Sequence, residues 1–267
     1  MTGADPTLLL IGMGLDSKDL SSKSIDALRQ CDHIYAERYT TPVSEEQISF
    51  VESETGKQVL FLARADLEED VKKTVNRSQN DTVAILVPGD PLIATTHRII
   101  INEARNQGIV VKVFHSSSIL SAAIGESSLD FYRFGPTVTV PRWSAHYEPC
   151  SFIDSISRNL KEREHTLLLF DIDPKKGETL GILEAIGIVR KAARRKRSRR
   201  ISDASTVIVL GDVGREDQVL FLSTIGKLLG DHSMAEALKG KRVCIVIPSR
   251  LSFAEKEALL ASMPDHR

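Results

Sequence analysis

The chain has 267 residues, of which 42% are hydrophobic, and its formal net charge at pH 7 is −1. This length and apolar content can bury a large core divided between two domains, and the charge gives no overall attraction to nucleic acid or acidic lipid. Its three scattered cysteines, Cys31, Cys150 and Cys244, argue against a disulfide framework, and with the unpaired histidines they argue against a metal site. We expect a soluble cytoplasmic protein, because apolar runs break within about ten residues and no signal-peptide pattern opens the chain.

The first half of the chain alternates between short apolar runs and amphipathic stretches, which predict strands and helices respectively. The predicted strands are Thr7–Ile11, His33–Glu37, Val59–Leu62, Thr82–Val87 and Ile109–Phe114. The predicted helices are Lys23–Gln30, Leu67–Asn76, His97–Asn106 and Ser117–Ile124. Such alternation is typical of a parallel sheet with crossover helices.

A second series of elements follows the expected hinge at Gly135 and Pro136, so we expect α/β domains over residues 1–135 and 136–267. The predicted strands are Thr137–Val140, Thr166–Phe170, Ser205–Leu210, Gln218–Leu222 and Arg242–Ile247. The predicted helices are Phe152–Glu162, Leu180–Ala193 and Phe253–Met263. The short gap between the third and fourth strands favours a hairpin, so the second, smaller domain should contain a mixed sheet.

The segment from Arg190 to Arg200 is strongly basic. Cations suit the carboxyl end of a helix, so the segment can be a solvated helix end with its loop. It can also be a docking patch for RNA or for a protein bound to nucleic acid. Because no aromatic residues interrupt it, we expect no base stacking there.

Three turns at predicted strand ends indicate a small-molecule site. They are Gly12-Met13-Gly14-Leu15, the Pro88–His97 segment, and His115-Ser116-Ser117-Ser118-Ile119. Glycine permits positive φ and lets a ligand approach the main chain, and ligands of open α/β sheets bind at the carboxyl ends of strands. If the strands are neighbours, the turns line one crevice.

The first turn alone has an alternative interpretation. Gly12 and Gly14 followed by Glu37 resemble part of a dinucleotide-binding unit, in which a carboxylate at about that offset holds a ribose hydroxyl. Ser17, however, stands where the third glycine of that motif is required. An NAD-dependent oxidoreductase is therefore a rival hypothesis.

Longer strings carry a family resemblance. Residues 89–97 read Gly-Asp-Pro-Leu-Ile-Ala-Thr-Thr-His, and residues 31–40 read Cys-Asp-His-Ile-Tyr-Ala-Glu-Arg-Tyr-Thr. With the Gly12–Leu15 turn and Ser118-Ile119-Leu120-Ser121-Ala122, these strings closely resemble the diphthine synthase family, part of the tetrapyrrole-methylase-like group of methyltransferases. The similarity extends over nearly the whole chain, including His165–Asp171 and Thr206–Gly214.

The resemblance implies a two-domain homodimer that binds S-adenosyl-L-methionine in the cleft between its domains. It implies methylation of the amino group of the 3-carboxy-3-aminopropyl chain on a histidine of translation elongation factor 2, up to the trimethylated product diphthine. The family's cofactor contacts map onto Leu15, Asp90, Ile93, Ser118, Ile119, Phe170, Val213 and Val243. Core packing is an open alternative for Phe170 and Val243, since apolar strand residues are usually buried.

The implied chemistry needs positioning of donor and acceptor and exclusion of water, so we expect no catalytic triad. The attacking amine must lose a proton, either to a nearby group or to water, and the sequence identifies no acceptor and no number of methyl groups. Arg64 and Glu68 can contact substrate or form an exposed ion pair. A tetrapyrrole or ribosomal RNA methyltransferase of the same superfamily is the nearest rival.

Overall fold

A computed structural model of the protein describes residues 6–37, 43–63, 66, 70–173 and 177–262. The chain forms two compact units, the first running to Ile119 and the second beginning at Leu120, with residues 177 and 178 joined to the first. The predicted domain boundary after residue 135 thus lies inside the second unit. Tyr39, Arg64 and Glu68 lie outside the described residues. Over the described ranges, no helix is both long and apolar enough to cross a membrane.

The first unit contains a five-stranded parallel sheet, which confirms the predicted architecture. Its strands are β1 (Thr7–Gly12), β2 (His33–Glu37), β3 (Val59–Leu62), β4 (Thr82–Val87) and β5 (Val110–Phe114). Their order is β3-β2-β4-β1-β5. Because β1 lies between β4 and β5, the carboxyl ends of these three strands are adjacent.

The central strands β1 and β4 of this sheet are buried on both faces, as expected for apolar runs in a parallel sheet. Along β1, Leu8 and Leu10 enter one hydrophobic cluster, whereas Leu9 and Ile11 enter another. The helices of this unit are α1 (Ser22–Arg29), α2 (Glu45–Thr55), α3 (Val71–Asn76) and α4 (Arg98–Asn106). The prediction omitted α2, although Ser44 and Gln47 form a capping box at its start.

The second unit contains a mixed sheet, as predicted. Its strands are β6 (Val138–Val140), β7 (Thr166–Phe170), β8 (Thr206–Gly211), β9 (Val219–Thr224) and β10 (Val243–Ile247), in the order β6-β7-β10-β8-β9. The β6–β7 pair is parallel, and the other pairs are antiparallel, including the predicted β8–β9 hairpin.

Six further α-helices follow in chain order within the described residues. They are α5 (Ile119–Glu126), α6 (Ser151–Glu162), α7 (Ile182–Arg195), α8 (Ile225–Gly230), α9 (His232–Ala237) and α10 (Phe253–Ser262). The prediction omitted α8 and α9, which have six residues each and depend on the caps Thr224 and Asp231. Helix α7 extends two residues beyond its predicted end, so its last turn contains Arg194 and Arg195.

A buried ionic cluster ties α10 to the rest of the second unit. Glu255 accepts hydrogen bonds from His165 Nε2 at 2.9 Å, from the Ser252 amide at 2.7 Å and from the Asp130 amide at 3.2 Å, and it pairs with Arg133. Burial opposes ionisation of this carboxyl, but the hydrogen bonds outweigh burial and lower its pKa to about 2. The amide of Ser249 donates to His165 Nδ1 at 3.0 Å.

Candidate functional site

The three turns singled out by sequence meet at the carboxyl edge of the first sheet. Main-chain hydrogen bonds join the first two directly: the Gly14 amide donates to the Gly89 carbonyl at 3.2 Å, and the Gly89 amide donates to the Gly14 carbonyl at 2.9 Å. The Met13 amide donates to the Val87 carbonyl at 2.8 Å. The strand order explains this proximity, because β1 pairs with β4 in register up to Gly12 and Val87.

The glycines of these turns have different uses. Gly14 and Gly89 adopt φ values of +72° and +69°, which confirms the expected left-handed conformation. A Cβ on Gly12 would lie 2.6 Å from the Gly89 carbonyl oxygen and 2.9 Å from Ser116 Cβ, so this glycine lets the loops after β4 and β5 close over the end of β1. A Cβ on Gly89 would meet only the Ser117 carbonyl oxygen, at 3.9 Å. The main chain at Gly89 is therefore the one a ligand can approach.

Asp19 connects the first turn to the third. Its Oδ2 accepts hydrogen bonds from the Leu15 amide at 2.8 Å and from the Ser117 hydroxyl, and its carbonyl accepts one from Ser116 Oγ at 3.3 Å. The Leu15 amide also donates to Ser117 Oγ at 3.0 Å. Because the Leu15 amide already donates hydrogen bonds to Asp19 and Ser117, only the carbonyl and the side chain of Leu15 are available to contact a cofactor. Nothing in the local sequence around Asp19 signalled this role.

Asp90 is 8% exposed and joins the loops after β4 and β5. Its Oδ1 accepts the Leu92 amide at 2.9 Å, which forms a tight turn within the loop. Its Oδ2 accepts the Ser116 amide at 3.4 Å and lies 2.7 Å from Nδ1 of His115. The imidazole of His115 remains 67% exposed. The family resemblance predicts a cofactor contact at Asp90 but no role for His115.

A second histidine–carboxylate pair lies buried behind the loop after β4. His97 Nε2 is 3.1 Å from Glu37 Oε2, and both side chains are fully enclosed. Nδ1 of His97 lies 3.1 Å from the Pro91 carbonyl and 2.8 Å from Thr95 Oγ1, so the ring holds both ends of a loop in which Ala94 adopts φ +54°. An enclosed Glu37 does not present its carboxylate to a ribose, which removes the main support for the dinucleotide hypothesis.

The remaining predicted contacts of the first unit lie beside these groups. Ile93 is 38% exposed on the loop after β4, a large exposure for an apolar side chain. Ser118 is buried at the end of the serine turn, and Ile119 begins α5. The described geometry thus brings Leu15, Asp90, Ile93, Ser118 and Ile119 to neighbouring strand exits.

The three predicted contacts of the second unit also lie together, at one end of its sheet. Val243 pairs with Gly211, two residues before Val213. The pairing of Ile245 with Leu168 places Phe170 at the same end of β7 and β10. Phe170 belongs to the buried core, and Val243 packs against it, so core packing accounts for both side chains.

The basic segment is partly neutralised by acidic neighbours. Arg194, Arg195 and Lys196 form ion pairs with Asp203, Glu148 and Asp154 respectively. Arg195 also stacks on Trp143, 4.8 Å from the ring centroid. Lys191, Arg197, Arg199 and Arg200 are exposed. The segment is thus both a helix end and an exposed patch of cations.

The buried thiols are chemically inert. Burial raises the pKa of Cys31 to about 11 and that of Cys244 to about 12, so both thiols are protonated at neutral pH. Within the described residues, no group of three or more His, Cys, Asp or Glu side chains is arranged to hold a metal ion.

The fold and the turns at the carboxyl ends of its strands place the protein in a class of methylases, as a comparison with known families shows. A family model described as Tetrapyrrole (Corrin/Porphyrin) Methylases matches residues 7–229. The chain belongs to this family, whose methyl donor is S-adenosyl-L-methionine, and it is therefore an S-adenosylmethionine-dependent methyltransferase.

Full-length relatives refine that assignment. A diphthine synthase of Methanothermobacter thermautotrophicus is 35% identical over 254 residues, which cover 95% of this chain and 94% of the relative. One from Methanococcus maripaludis strain S2 is 32% identical and covers 94% of this chain and 97% of its own length. A crystal structure of a conserved hypothetical protein from Aeropyrum pernix K1 matches with a TM-score of 0.87 and 30% identity, covering 97% of this chain and 90% of its own. Within the tetrapyrrole methylases, the chain is a member of the diphthine synthases.

Proposed function

We propose that the protein methylates the amino group of the 3-carboxy-3-aminopropyl side chain on the modified histidine of translation elongation factor 2, up to the trimethylated product diphthine. The full-length similarity to diphthine synthases carries this proposal. It is supported by the convergence of the glycine and serine turns at one edge of the parallel sheet, where such folds bind ligands.

The residues of this edge suit S-adenosyl-L-methionine. The open main chain at Gly89 admits a ligand, and Asp90 and the Ser118 hydroxyl are polar groups for its amino-acid and ribose parts. Ile93 and Leu15 add apolar contacts. Phe170, Val213 and Val243 are our proposed contacts for the adenine, with main-chain groups at Val243 as the hydrogen-bonding atoms.

The protein's task in this chemistry is positional. When bound, S-adenosyl-L-methionine would supply an electrophilic methyl group on a sulfonium, whose C–S bonding pair would stay on sulfur as the C–N bond formed. Asp19 and Asp90 fix the turns that hold the donor, and Glu37 and His97 fix the loop behind them. Fixed geometry lowers the activation barrier, because the entropy that two free reactants would lose in reaching the transition state has already been lost on binding.

The test combines the purified protein with S-adenosyl-L-methionine and elongation factor 2 carrying the aminocarboxypropyl histidine. We expect mass spectrometry of the histidine peptide to show three added methyl groups, and no change in a factor whose histidine is unmodified. Asp90→Ala should weaken binding of S-adenosylhomocysteine by about tenfold or more in calorimetry, as expected when a buried hydrogen-bonding group is lost. The control, Asp81→Ala at the opposite end of the sheet, should not.

The rival functions predict other results. Methylation of a tetrapyrrole or of ribosomal RNA, with no methylation of the factor, would contradict the proposal. Thermal stabilisation by NADH alone would support an oxidoreductase instead.

We also propose that the protein acts in the cytoplasm as a homodimer. Phe131, Tyr132 and Phe253 are 61%, 91% and 79% exposed, an unusual density of bare aromatic rings, and the Glu255 cluster holds their segments together. Sedimentation of the wild type and of Phe131→Ser with Phe253→Ser tests this: a monomeric wild type would contradict it.

The exposed cations of the basic segment are a candidate docking patch for the large substrate. Replacing Arg197, Arg199 and Arg200 by Gln should raise KM for the factor in a salt-dependent manner and leave the affinity for S-adenosylhomocysteine unchanged. An unchanged KM at low salt would leave the segment as a solvated helix end.

A further inference from the structure

We infer that His115, oriented by Asp90, accepts the proton that the substrate amine loses before each methyl transfer. The inference rests on the proposed function, because it concerns a group on that same edge of the sheet.

The two side chains meet across the end of β1. Asp90 follows β4 and His115 follows β5, and these strands flank β1 on either side. The loops reach each other because Gly12 has no side chain: a Cβ there would collide with Gly89 and with Ser116, the neighbour of His115. The pair is therefore a product of the same glycine turn that the sequence marks as functional.

The hydrogen bonds define which nitrogen is available. Asp90 is buried and fixed by the Leu92 and Ser116 amides, so its Oδ2 has a set position, 2.7 Å from Nδ1 of His115. A carboxylate only accepts hydrogen bonds, so Nδ1 carries the hydrogen and donates it. In the neutral ring, Nε2 then holds a lone pair. Within the described residues Nε2 has no hydrogen-bonding partner, and the imidazole is 67% exposed.

This arrangement has the components of a general base. A histidine with one nitrogen fixed by a buried carboxylate and the other open to substrate is suited to take a proton at neutral pH. An N–H bond of the protonated amine breaks, its electron pair becomes the lone pair of the neutral amine nitrogen, and the proton binds the lone pair of Nε2. The imidazolium is stabilised by the Asp90 carboxylate, and it returns its proton to water. Each methyl transfer requires one such removal.

Charged side chains on the described elements around His115 include two aspartates and two lysines. Asp90 contacts the ring, and the Asp19 carboxylate accepts a hydrogen bond from the hydroxyl of Ser117, two residues after His115. Among cations, Lys23 Nζ lies 5.6 Å from the ring centroid of Phe114, and Lys112 is exposed on β5. Of these groups, only Asp90 is in hydrogen-bond contact with the ring.

A second histidine–aspartate pair among the described residues, with both side chains partly exposed, provides a matched control. His33 Nε2 lies 3.4 Å from Asp81 Oδ2, and both side chains are about half exposed. This pair stands at the amino end of β2, away from the strand exits. His33→Gln thus removes the same chemical groups without touching the candidate site.

The kinetic test compares His115→Gln with His33→Gln in single-turnover methylation of the modified factor. We expect His115→Gln to lower the rate roughly 10²-fold at pH 7, within the usual range for loss of a general base. The deficit should shrink as pH rises, because more amine is then free, and added imidazole should restore part of the rate. Affinity for S-adenosylhomocysteine, measured by calorimetry, should change less than about twofold, and His33→Gln should behave as wild type.

A second readout does not depend on turnover. In the cofactor-free protein, ¹⁵N chemical shifts of the His115 ring should report a hydrogen on Nδ1, and Asp90→Asn should abolish that preference. A ring protonated on Nε2, a wild-type rate in His115→Gln, a deficit equal at every pH, or a parallel loss of cofactor affinity would each overturn the inference. Failure of the wild type to bind S-adenosylhomocysteine would instead overturn the proposed function.

Discussion

A histidine paired with a carboxylate lies at the carboxyl ends of the strands in the first unit, and another such pair lies at the first turn of α10 in the second unit. In the second unit both partners are enclosed: His165 is 0% exposed and Glu255 is 4% exposed. In the first unit only the acid is enclosed, because Asp90 is 8% exposed and His115 is 67% exposed. The enclosed pair joins distant chain segments, whereas the half-exposed pair keeps one ring nitrogen in contact with solvent. The exposure of the histidine, and not the residue types, separates a structural pair from one that can exchange protons.

The first unit also contains an enclosed pair, Glu37 and His97, so each kind occurs on the same sheet edge. This pair supports the loop that carries Asp90, because the His97 ring contacts Pro91 and Thr95 of that loop. Three substitutions measure how far exposure determines what each pair does.

His97→Ala should have the largest effect on stability. It leaves the Glu37 carboxylate buried without its imidazole partner and removes the ring that holds Pro91 and Thr95. We expect a loss of about 3–5 kcal/mol in the free energy of unfolding, typical of a broken buried pair. Urea denaturation measures it, with the exposed His232→Ala as control. A loss below about 1 kcal/mol would mean that the pair does not hold the loop.

Glu255→Gln should cost somewhat less, about 3 kcal/mol at pH 7. The amide mimics a protonated carboxyl, and the folded pKa of about 2 against an ordinary 4.5 corresponds to that free energy. Because the folded pKa is depressed, the contribution is complete above pH 4.5 and is lost as pH falls towards 2. The difference between variant and wild type should therefore narrow to about half near pH 3.

His165 adds to the same acid sensitivity. Burial lowers its pKa below the ordinary 6.5, despite the opposing hydrogen bond to Glu255. The unfolded chain then binds a proton more readily than the folded one, so stability declines as pH falls below 6.5. Denaturation of the wild type at pH 7, 5 and 3 measures this decline. A free energy of unfolding that does not change with pH would contradict the predicted pH dependence of both Glu255 and His165.

His115→Gln should have the smallest effect on stability, below about 0.5 kcal/mol, as is usual for exposed positions. The same substitution has the largest expected effect on the rate of methyl transfer. Thermal unfolding beside the kinetic test separates the two. A destabilisation comparable to that of His97→Ala would place His115 among the structural pairs.

Much of the fold follows from the sequence because its signals are local. The apolar runs of β1 and β4 and the period of α7 are strong patterns, and the short β8–β9 connection requires an antiparallel pair. Helix α2 was missed because its apolar residues are sparse, although the capping box of Ser44 and Gln47 was readable. Helices α8 and α9 are too short for a periodic pattern.

The candidate site was also only partly predictable from the sequence. The glycine turns and Asp90 were visible, since Gly and Pro set local backbone geometry. The partners of these groups were not, because Asp19 and Ser117 lie 98 residues apart, and Glu37 and His97 lie 60 apart. Only the strand order brings such residues together. Family similarity marked Glu37 and His97 within its two strings, without indicating that they touch.

The reciprocal hydrogen bonds between Gly14 and Gly89 have a dynamic consequence. Each amide ends on the other's carbonyl, so neither turn can open without exposing the polar groups of both. The two loops therefore open together or not at all, and a small molecule bound at Gly89 also restrains the segment after β1. Deuterium uptake at the two amides should accordingly slow by a common factor when S-adenosylhomocysteine is added.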